Sequence, residues 1–401
     1  MKTDALKIID AALKASSPRK NVADALSQRE YADNITLIAA GKAACTMADA
    51  AYDVLGAKIR KGYVITKYFH SFPLPDVFEV FEAGHPLPDE NSVRHTKTVI
   101  DAVKNLTEKD KVIFLLSGGA SALFECPVIP LESLISITEK LLGCGADITE
   151  INLIRKKLSA VKGGKFAKMC PCDIDCFILS DVLGDRIEMI ASGPCCDDKS
   201  TAADAENIIK KYNLDIVLPK DIGNTEVTNA ENHIIGSLQM LCDGAKKCAE
   251  SLGYKTHIMT TSMTGEAREK AGEIAKHAIE YASSPHKKTV FIYGGETTVT
   301  IKGKGKGGRN QEIALSAAIE LKNTEDILIF SLGSDGTDGP TDAAGGMADG
   351  DSYEKMKSVG ISPEEYLKDN NSYNALKTIG DIIMTGPTGT NVNDITVVII
   401  Q

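Results

Sequence analysis

The sequence lacks any apolar run of the roughly 20 residues that a membrane-spanning helix needs. Its first 14 residues are a charged amphipathic stretch, without the apolar core or the cleavage site of a signal peptide. The sequence also has fewer basic than acidic residues. It contains 45 lysines and arginines and 55 aspartates and glutamates, which gives a net charge of −10. A chain of this charge repels a phosphate backbone. We therefore expect a cytoplasmic protein with no membrane and no nucleic-acid partner.

The P-loop motif G-x-x-x-x-G-K-[ST] is missing as well. Gly41-Lys42 is followed by Ala43, and Gly164-Lys165 is followed by Phe166. Since this motif needs a hydroxyl residue directly after the lysine, a P-loop enzyme is excluded.

The ten cysteines contain no paired C-x2-C pattern of the kind that binds zinc. This holds even where they cluster in sequence, at Cys170, Cys172, Cys176, Cys195 and Cys196. We interpret them as free thiols of a reducing compartment, with a metal or redox role as the alternative.

What is present is the composition of a globular protein, with 43% hydrophobic and 25% charged residues in a chain of 401. The first half alternates strand-like apolar runs with amphipathic stretches, which predicts an α/β domain with a largely parallel sheet. Its strands are predicted at residues 34–40, 63–67, 111–116 and 174–180.

A polar, turn-rich stretch at residues 218–229 predicts a boundary, with one domain at 1–228 and another at 229–401. Beyond it, helices are predicted at 238–252, 265–281 and 311–321, and strands at 254–260, 289–293, 297–302, 327–332 and 395–400. We therefore predict two layered α/β domains, with the ligand in a cleft between them at the carboxyl ends of strands.

A glycine-rich loop, Ser117-Gly118-Gly119-Ala120-Ser121, follows the predicted strand 111–116 directly. Backbone N–H groups at such a junction are unpaired and can bind an anion, although a plain turn has the same sequence features. Lys42 stands at a second junction, where a lysine opposes the helix dipole. This position favours a functional role for Lys42, and a surface lysine is the alternative.

Carboxylates mark two further loops. Asp181 and Asp185 follow the strand 174–180, where they can hold Mg²⁺, accept a proton or cap a helix. Asp335 and Asp338 stand in a Gly/Asp-rich loop after the strand 327–332, which is typical either of tight turns or of a metal-binding loop.

Residues 302–312 combine glycines with three lysines and Arg309, ahead of a predicted helix. This combination suits a polyphosphate, and the alternative is a hairpin tip solvated by its lysines, which fits Lys304 and Lys306 better than Arg309. The same segment matches the dinucleotide pattern G-x-G-x-x-G. Its context argues against a reductase, because the preceding residues alternate like a half-exposed strand and no acidic residue ends a second strand about 20 positions on.

Taken together, these blocks resemble the class II glycerate kinases, the glycerate 2-kinases with a C-terminal MOFRL domain. The resemblance covers nearly the whole chain. It rests on GKAA (41–44), GHPLPDE (84–90), SGGASAL (117–123), NLIRKKLSAVKGGK (152–165), SDVLGD (180–185), IASGP (190–194), GGETTV (294–299), GKGGRNQE (305–312), DGPTDAAGG (338–346) and GPTGTNVND (386–394).

The resemblance implies a Rossmann-like N-terminal domain and a MOFRL C-terminal domain around a cleft. It also implies transfer of the γ-phosphoryl group of ATP to the 2-hydroxyl of D-glycerate with Mg²⁺, giving 2-phosphoglycerate and ADP. The same family has been called hydroxypyruvate reductase, which is the alternative, and a non-catalytic phosphate-binding protein is the third possibility. The oligomeric state stays open, with a homodimer as the candidate.

The motif lysine of the family corresponds to Lys42 and the motif arginine to Arg309, which would clamp phosphate charge from opposite domains. Lys42, Arg309 and Asp181 are the predicted catalytic residues. Asp181 and Asp185 are the candidate Mg²⁺ ligands, and which of them is metal ligand or base stays open. Further predicted cofactor-binding residues are Ser117, Gly118, Gly119, Ala120, Ser121, Lys162, Asp185, Glu296, Asn310, Gln311, Asp335 and Asp338.

Overall fold

The computed structural model describes residues 1–219, 224–285 and 288–401. The chain forms two compact units. The first, called the N-terminal unit below, is Pro18–Ile235, and the second, the C-terminal unit, joins Met1–Ser17 to Gly236–Gln401. Residues 220–223 of the predicted boundary stretch lie outside the described residues.

The N-terminal unit contains a six-stranded sheet with the order β3-β2-β1-β4-β5-β6. Its strands are β1 (Ile35–Ala40), β2 (Ile59–Lys67), β3 (Phe78–Ala83), β4 (Lys111–Leu116), β5 (Asp173–Leu179) and β6 (Ala230–Gly236). All neighbouring pairs from β3 to β5 are parallel, which confirms the predicted α/β class. This is the Rossmann strand order, and the order reverses between β1 and β4.

Helices connect these strands and cover the sheet. They are α2 (Pro18–Ser27), α3 (Ala44–Leu55), α4 (Glu90–Lys104), α5 (Ala120–Leu123), α6 (Leu131–Gly143), α7 (Ile148–Leu158), α8 (Lys165–Met169) and α9 (Ala202–Lys211). Every residue of β1 is buried, as expected for a central strand of a sheet covered on both faces. Ligands of such sheets bind at the carboxyl ends of the strands where the order reverses, which here are β1 and β4.

The C-terminal unit contains a second six-stranded sheet, with the order β11-β10-β9-β12-β8-β7. Its strands are β7 (Lys255–Met263), β8 (Thr289–Gly295), β9 (Ile327–Gly333), β10 (Gly345–Asp349), β11 (Ile382–Ile383) and β12 (Asp394–Ile400). β7 and β8 are parallel and the other neighbours are antiparallel, so this sheet is mixed. The helices are α1 (Lys2–Ala15), α10 (Leu238–Ser251), α11 (Ala267–Ala282), α12 (Arg309–Glu320), α13 (Ser352–Ser358), α14 (Pro363–Lys368) and α15 (Ser372–Ile379).

The two units differ from the predicted domains in the placement of the N-terminal segment and in the position of the boundary. The first helix, α1, packs in the C-terminal unit. Gly244 of α10 lies so close to α1 that a β-carbon there would be 2.4 Å from the Ala15 β-carbon. The Tyr254 hydroxyl also donates to Asp4 at 2.8 Å. The chain enters the C-terminal unit after Ile235, a few residues beyond the predicted boundary at 228.

The strand predicted at residues 297–302 was wrong. This segment makes one isolated bridge, between Thr298 and Glu266, and is otherwise irregular. Among the described residues, no helix combines the length and the apolar character that crossing a membrane requires.

Candidate active site

Lys42 lies in the turn between β1 and α3, at the edge of the sheet where the strand order reverses. Its backbone N–H donates to the Gly118 carbonyl at 2.9 Å, and the Ala43 N–H donates to Ser117 Oγ at 3.1 Å. Gly41 has a φ of +128°, and a β-carbon there would lie 2.2 Å from Ser117 Oγ. The structure thus brings Lys42 together with the glycine-rich loop 117–121.

The side chain of Lys42 lies over Gly119, together with that of His85. Gly119 has a φ of +87°, and a β-carbon there would be 2.9 Å from His85 Cδ2 and 3.4 Å from Lys42 Cε. Burial, reinforced by Lys42 and Lys67, lowers the pKa of His85 to about 4, so its ring is neutral at physiological pH. We did not predict His85 as a site residue, although the GHPLPDE block that contains it was the available signal.

No ion pair within the described part of the chain involves the Lys42 ammonium. Several other cations of this unit are paired with carboxylates. Lys111 pairs with Asp175 at 2.7 Å, for example, and Lys157 pairs with Asp198 at 3.0 Å. An ammonium without a matching carboxylate, next to backbone N–H groups, is suited to an anionic ligand.

Asp181 follows β5 and lies against the same loop. A β-carbon on Gly118 would be 2.5 Å from Asp181 Oδ2, so only glycine at this position leaves room for the carboxylate. Asp185 lies in the following turn with a φ of +52°, and its N–H donates to the Val182 carbonyl at 3.0 Å. The contact with the loop is therefore made by Asp181.

Lys162 lies beneath the loop, with 1% of its side chain exposed. Its ammonium donates to the carbonyls of Ser121 at 2.8 Å and Phe124 at 3.2 Å, and faces Glu125 at 3.4 Å. Arg155 donates to the same Ser121 carbonyl at 2.8 Å. Lys162 is therefore buried and supports the loop from beneath through these hydrogen bonds.

Arg309 opens α12 in the C-terminal unit and is held by two carboxylates. Its Nε donates to Asp394 Oδ2 at 2.5 Å, its Nη2 to Asp394 Oδ1 at 3.1 Å, and its Nη1 to Glu296 Oε1 at 2.7 Å. The sheet register explains this, since Asp394 pairs with Gly295, directly before Glu296. Burial raises the pKa of Asp394 to about 6, against the opposing effect of Arg309. Asp394 was missed as a site residue, although it ends the GPTGTNVND block.

Asp338 caps α12. Its carboxylate accepts from the backbone N–H groups of Asn310 at 3.1 Å and Gln311 at 2.8 Å, which are among the unpaired donors of the first helical turn. Asn310 and Gln311 are 1% and 0% exposed, so they build the interior of the loop instead of facing a ligand. Asp335 accepts from the Thr337 N–H at 2.9 Å and shapes the preceding turn.

Gly303 and Gly305, ahead of Arg309, pack closely against the loop between α14 and α15. A β-carbon would lie 2.2 Å from the Asp369 carbonyl oxygen if added to Gly303, and 2.4 Å from the Asn371 β-carbon if added to Gly305. Lys304 and Lys306 alternate with these glycines and are exposed. The pattern that matched the dinucleotide fingerprint is therefore a packing pattern.

A cavity of about 570 Å³ in the C-terminal unit gathers three of the predicted site residues. Arg309, Asp335 and Asp338 line it, together with residues 297–299 and Asn370. Its volume is in the range of small-molecule sites, and its lining combines apolar residues with a few polar and charged ones, as is usual for such sites.

The cysteines do not form a metal centre in the described residues. All ten are free, and the Cys170 and Cys172 sulfurs lie 3.5 Å apart in the core. The metal-ligand cluster found in this part of the chain is Asp175, Glu231 and His233. There the Asp175 carboxylate already accepts from Tyr31 and Lys111, which leaves it poorly suited to a cation.

A Rossmann-ordered sheet with a glycine-rich anion loop, an unmatched lysine and a neighbouring carboxylate is typical of enzymes that handle phosphorylated ligands. Comparison with known proteins identifies the class further. Residues 4–225 match a domain family of unknown function (DUF4147), and residues 289–394 match the MOFRL family.

The D-glycerate 2-kinase of Thermotoga maritima is 47% identical, over 98% of this chain and 97% of that protein. The glycerate 2-kinase of Pyrococcus horikoshii is 42% identical, over 98% and 96%. The crystal structure of the glycerate kinase from T. maritima superposes with a TM-score of 0.95, covering 100% of this chain and 99% of that one. The chain therefore belongs to the glycerate 2-kinase family and is a kinase, as the sequence motifs predicted.

Putative hydroxypyruvate reductases from Agrobacterium vitis are also similar, at 36% and 37% identity. They are less similar to this chain than the kinases from T. maritima and P. horikoshii. The glycines of the dinucleotide-like segment 303–308 pack against Asp369, Asn371 and Asp338, which gives them a structural role.

Proposed function

We propose that the protein transfers the γ-phosphoryl group of ATP to the 2-hydroxyl of D-glycerate, giving 2-phosphoglycerate and ADP. Membership of the family supports this reaction. The observation in the structure that supports it most directly is the Lys42 ammonium, which lies over Gly119 and has no carboxylate partner among the described residues. Phosphoryl transfer depends on positioning and on neutralising charge, and this arrangement offers both.

In this proposal, Lys42 neutralises charge on the phosphoryl group, and the loop 117–121 offers backbone N–H groups to its oxygens. Lys162 and Arg155 hold the Ser121 carbonyl and so keep the loop in place. Arg309 acts as a second, rigidly positioned cation. Its guanidinium has more N–H donors than its contacts to Asp394 and Glu296 use, so it can still donate to a phosphate oxygen.

Asp181 is the proposed ligand of Mg²⁺, with Asp185 as the second candidate. The carboxylate of Asp181 fits this role because it is a hard oxygen donor lying against the anion loop, where only glycine leaves it room. When bound, Mg²⁺ would supply further neutralisation of phosphate charge. Ten free cysteines suit a reducing compartment, and we place the reaction in the cytoplasm.

Phosphorus NMR of the purified protein with ATP, Mg²⁺ and D-glycerate tests the proposal. We expect 2-phosphoglycerate and ADP in equal amounts, and no consumption of NADH or NADPH with hydroxypyruvate. Turnover of a nicotinamide cofactor with hydroxypyruvate, independent of ATP, would replace the kinase proposal with the reductase.

A further inference from the structure

We propose that the cavity at Arg309, in the C-terminal unit, binds the nucleoside part of the donor nucleotide, with Ile301 against the base and the Thr297 hydroxyl as a hydrogen-bond partner. The inference rests on the proposed function and adds the place where the base and ribose of ATP are recognised. It assigns a role to the irregular segment 297–301, which the reaction scheme above does not use.

The cavity has a size that suits a nucleoside. Its volume is about 570 Å³, within the range of pockets that enclose a small organic ligand. Glycerate has only three carbons and would leave most of this space empty. Arg309 is part of the wall, so a nucleoside that fills the cavity can direct its phosphate chain to the guanidinium.

Apolar side chains are exposed at this cavity. Val299, Ile301 and Pro340 are among the residues that line it, and Ile301 is 80% exposed. Covering such a side chain with a flat apolar surface is favourable, and a purine base offers that surface. A small hydroxy acid does not.

The segment 297–301 is irregular, but its backbone is held by hydrogen bonds. The Thr298 N–H donates to the Gly265 carbonyl at 2.8 Å, and the Thr300 N–H donates to Glu266 Oε1 at 3.1 Å. Because the backbone is fixed at both positions, the side chains of this segment that line the cavity have defined places before a ligand binds.

One buried hydroxyl on the cavity wall lacks a hydrogen-bond partner. Thr297 lines the cavity and is 2% exposed, and its Oγ1 makes no hydrogen bond within the part of the chain that the structure describes. Leaving a buried polar group unpaired costs free energy, so this hydroxyl points to a ligand that completes the bond. The base and the ribose of a nucleoside both carry groups that can do so.

The charge of the wall also favours a nucleoside over an acid. Glu312, Asp335 and Asp338 line the described wall together with Arg309, so carboxylates outnumber cations there. In the described ranges, the side-chain hydrogen bonds of Asp335 use only Oδ1, which accepts from the Thr337 N–H at 2.9 Å and from its hydroxyl at 3.1 Å. The Asp335 Oδ2 can therefore accept from a ribose hydroxyl, whereas an acid would be repelled.

The first test measures the binding of ADP, without turnover, by isothermal titration calorimetry. Ile301→Ala should raise Kd for ADP roughly 5- to 20-fold, because the base loses apolar contact. Binding of inorganic tripolyphosphate, which has phosphates but no nucleoside, should not change, and neither should KM for D-glycerate. Val359→Ala is the matched control, because Val359 is also an exposed apolar residue of this unit but does not line the cavity. It should leave Kd for ADP unchanged.

Three results of this test would overturn the inference. They are an unchanged Kd for ADP in Ile301→Ala, an equal loss of ADP and tripolyphosphate binding, and a rise in KM for D-glycerate in place of the rise in Kd for ADP. Wild type that binds ADP in the expected way but forms no 2-phosphoglycerate would instead contradict the proposed function.

The second test separates ligand binding from stability at Thr297. Thr297→Val removes the unpaired hydroxyl and keeps the shape of the side chain, so the free protein should melt at an equal or higher temperature. Kd for ADP should nevertheless rise roughly 3- to 10-fold, because a hydrogen bond to the nucleoside is lost.

Thr300→Val is the control on the same segment. The Thr300 hydroxyl donates to Glu266 Oε2 at 2.9 Å, and Thr300 does not line the cavity. This variant should lower the melting temperature slightly and leave ADP binding unchanged. An unchanged Kd for ADP in Thr297→Val, or weaker binding accompanied by a lower melting temperature, would contradict the role of the Thr297 hydroxyl.

Discussion

Arg309 and Asp394 form a two-point ion pair, with Nε to Oδ2 at 2.5 Å and Nη2 to Oδ1 at 3.1 Å. Asp394 is almost fully buried, while a third of the Arg309 side chain is exposed. The ion pair therefore holds the Arg309 guanidinium in place at the wall of the cavity in the C-terminal unit. Because Asp394 is buried, the same pair also contributes to the stability of this unit.

Arg309→Ala should lower both activity and stability. We expect kcat to fall on the order of 10³-fold through loss of a phosphate-binding cation. The free energy of unfolding should fall by about 3 to 5 kcal/mol, because Asp394 is left buried without its partner. Steady-state kinetics and chemical denaturation measure the two effects separately.

Adding Asp394→Asn to Arg309→Ala should restore stability but not kcat. Lys304→Ala is the control on the same segment, since this lysine is exposed, and its loss should cost less than about tenfold through weaker steering. If Arg309→Ala and Lys304→Ala behave alike, Arg309 is not part of the electrostatic centre.

Lys42→Ala should lower kcat on the order of 10³-fold with little change in KM for either substrate. A cation that meets charge developing on the transferring group acts mainly in the transition state, so its loss appears in kcat. Lys42→Arg should recover part of the rate. A variant in which only KM rises would show that Lys42 merely anchors the ground state.

Gly119→Ala tests the close approach of His85 and Lys42. Gly253 is a matched control, because its φ is +88° against +87° for Gly119, but a β-carbon there meets nothing within 4 Å. Alanine at either position should cost about 1 to 2 kcal/mol in backbone strain. Only Gly119→Ala should also lower kcat/KM, by roughly 10- to 100-fold, because it displaces the two side chains. Equal kinetics in both variants would argue against the arrangement.

Gly305→Ala tests the packing role of the glycines in the lysine-rich segment. A β-carbon there would lie 2.4 Å from the Asn371 β-carbon and 2.6 Å from the Asp369 carbonyl oxygen, so we expect a loss of about 1 to 3 kcal/mol in unfolding free energy. Lys304→Ala, one residue away, should stay within about 0.5 kcal/mol. Thermal unfolding compares the two, and equal stability would refute the packing role.

Stability should depend on pH through Lys162. Burial lowers its pKa from 10.5 to about 8, with Glu125 opposing this and Arg155 adding to it. Between these two values the unfolded chain holds a proton that the folded chain has released, so stability rises with pH across this window. The gain is about 3 kcal/mol at most, at 1.36 kcal/mol per pH unit. Burial lowers the pKa of Lys165 to about 8 as well, so Lys162→Met should reduce the rise without abolishing it. Identical pH profiles for wild type and variant would contradict the assignment.

Local sequence patterns were enough to predict the Rossmann-like class of the N-terminal unit and the loops at the ends of its strands. The strands at residues 34–40 and 111–116 were predictable because an apolar run that ends in glycine is a local signal. The structure places Lys42 beside the loop 117–121, because parallel strands carry such loops to one edge of the sheet. The ordered motif blocks determined the kinase family.

Which partner each polar residue contacts could not be read from the local sequence. Asp338 is a helix cap because the start of α12 lies beside it, and Gly305 is a packing residue because Asn371 lies against it. Asp394 meets Arg309 through the register of β12, and α1 joins the C-terminal unit through its contact with α10. Each of these contacts joins residues far apart in the sequence. A local pattern of carboxylates or glycines is the same whether the partner is a metal, a phosphate or another part of the chain, and only folding fixes that partner.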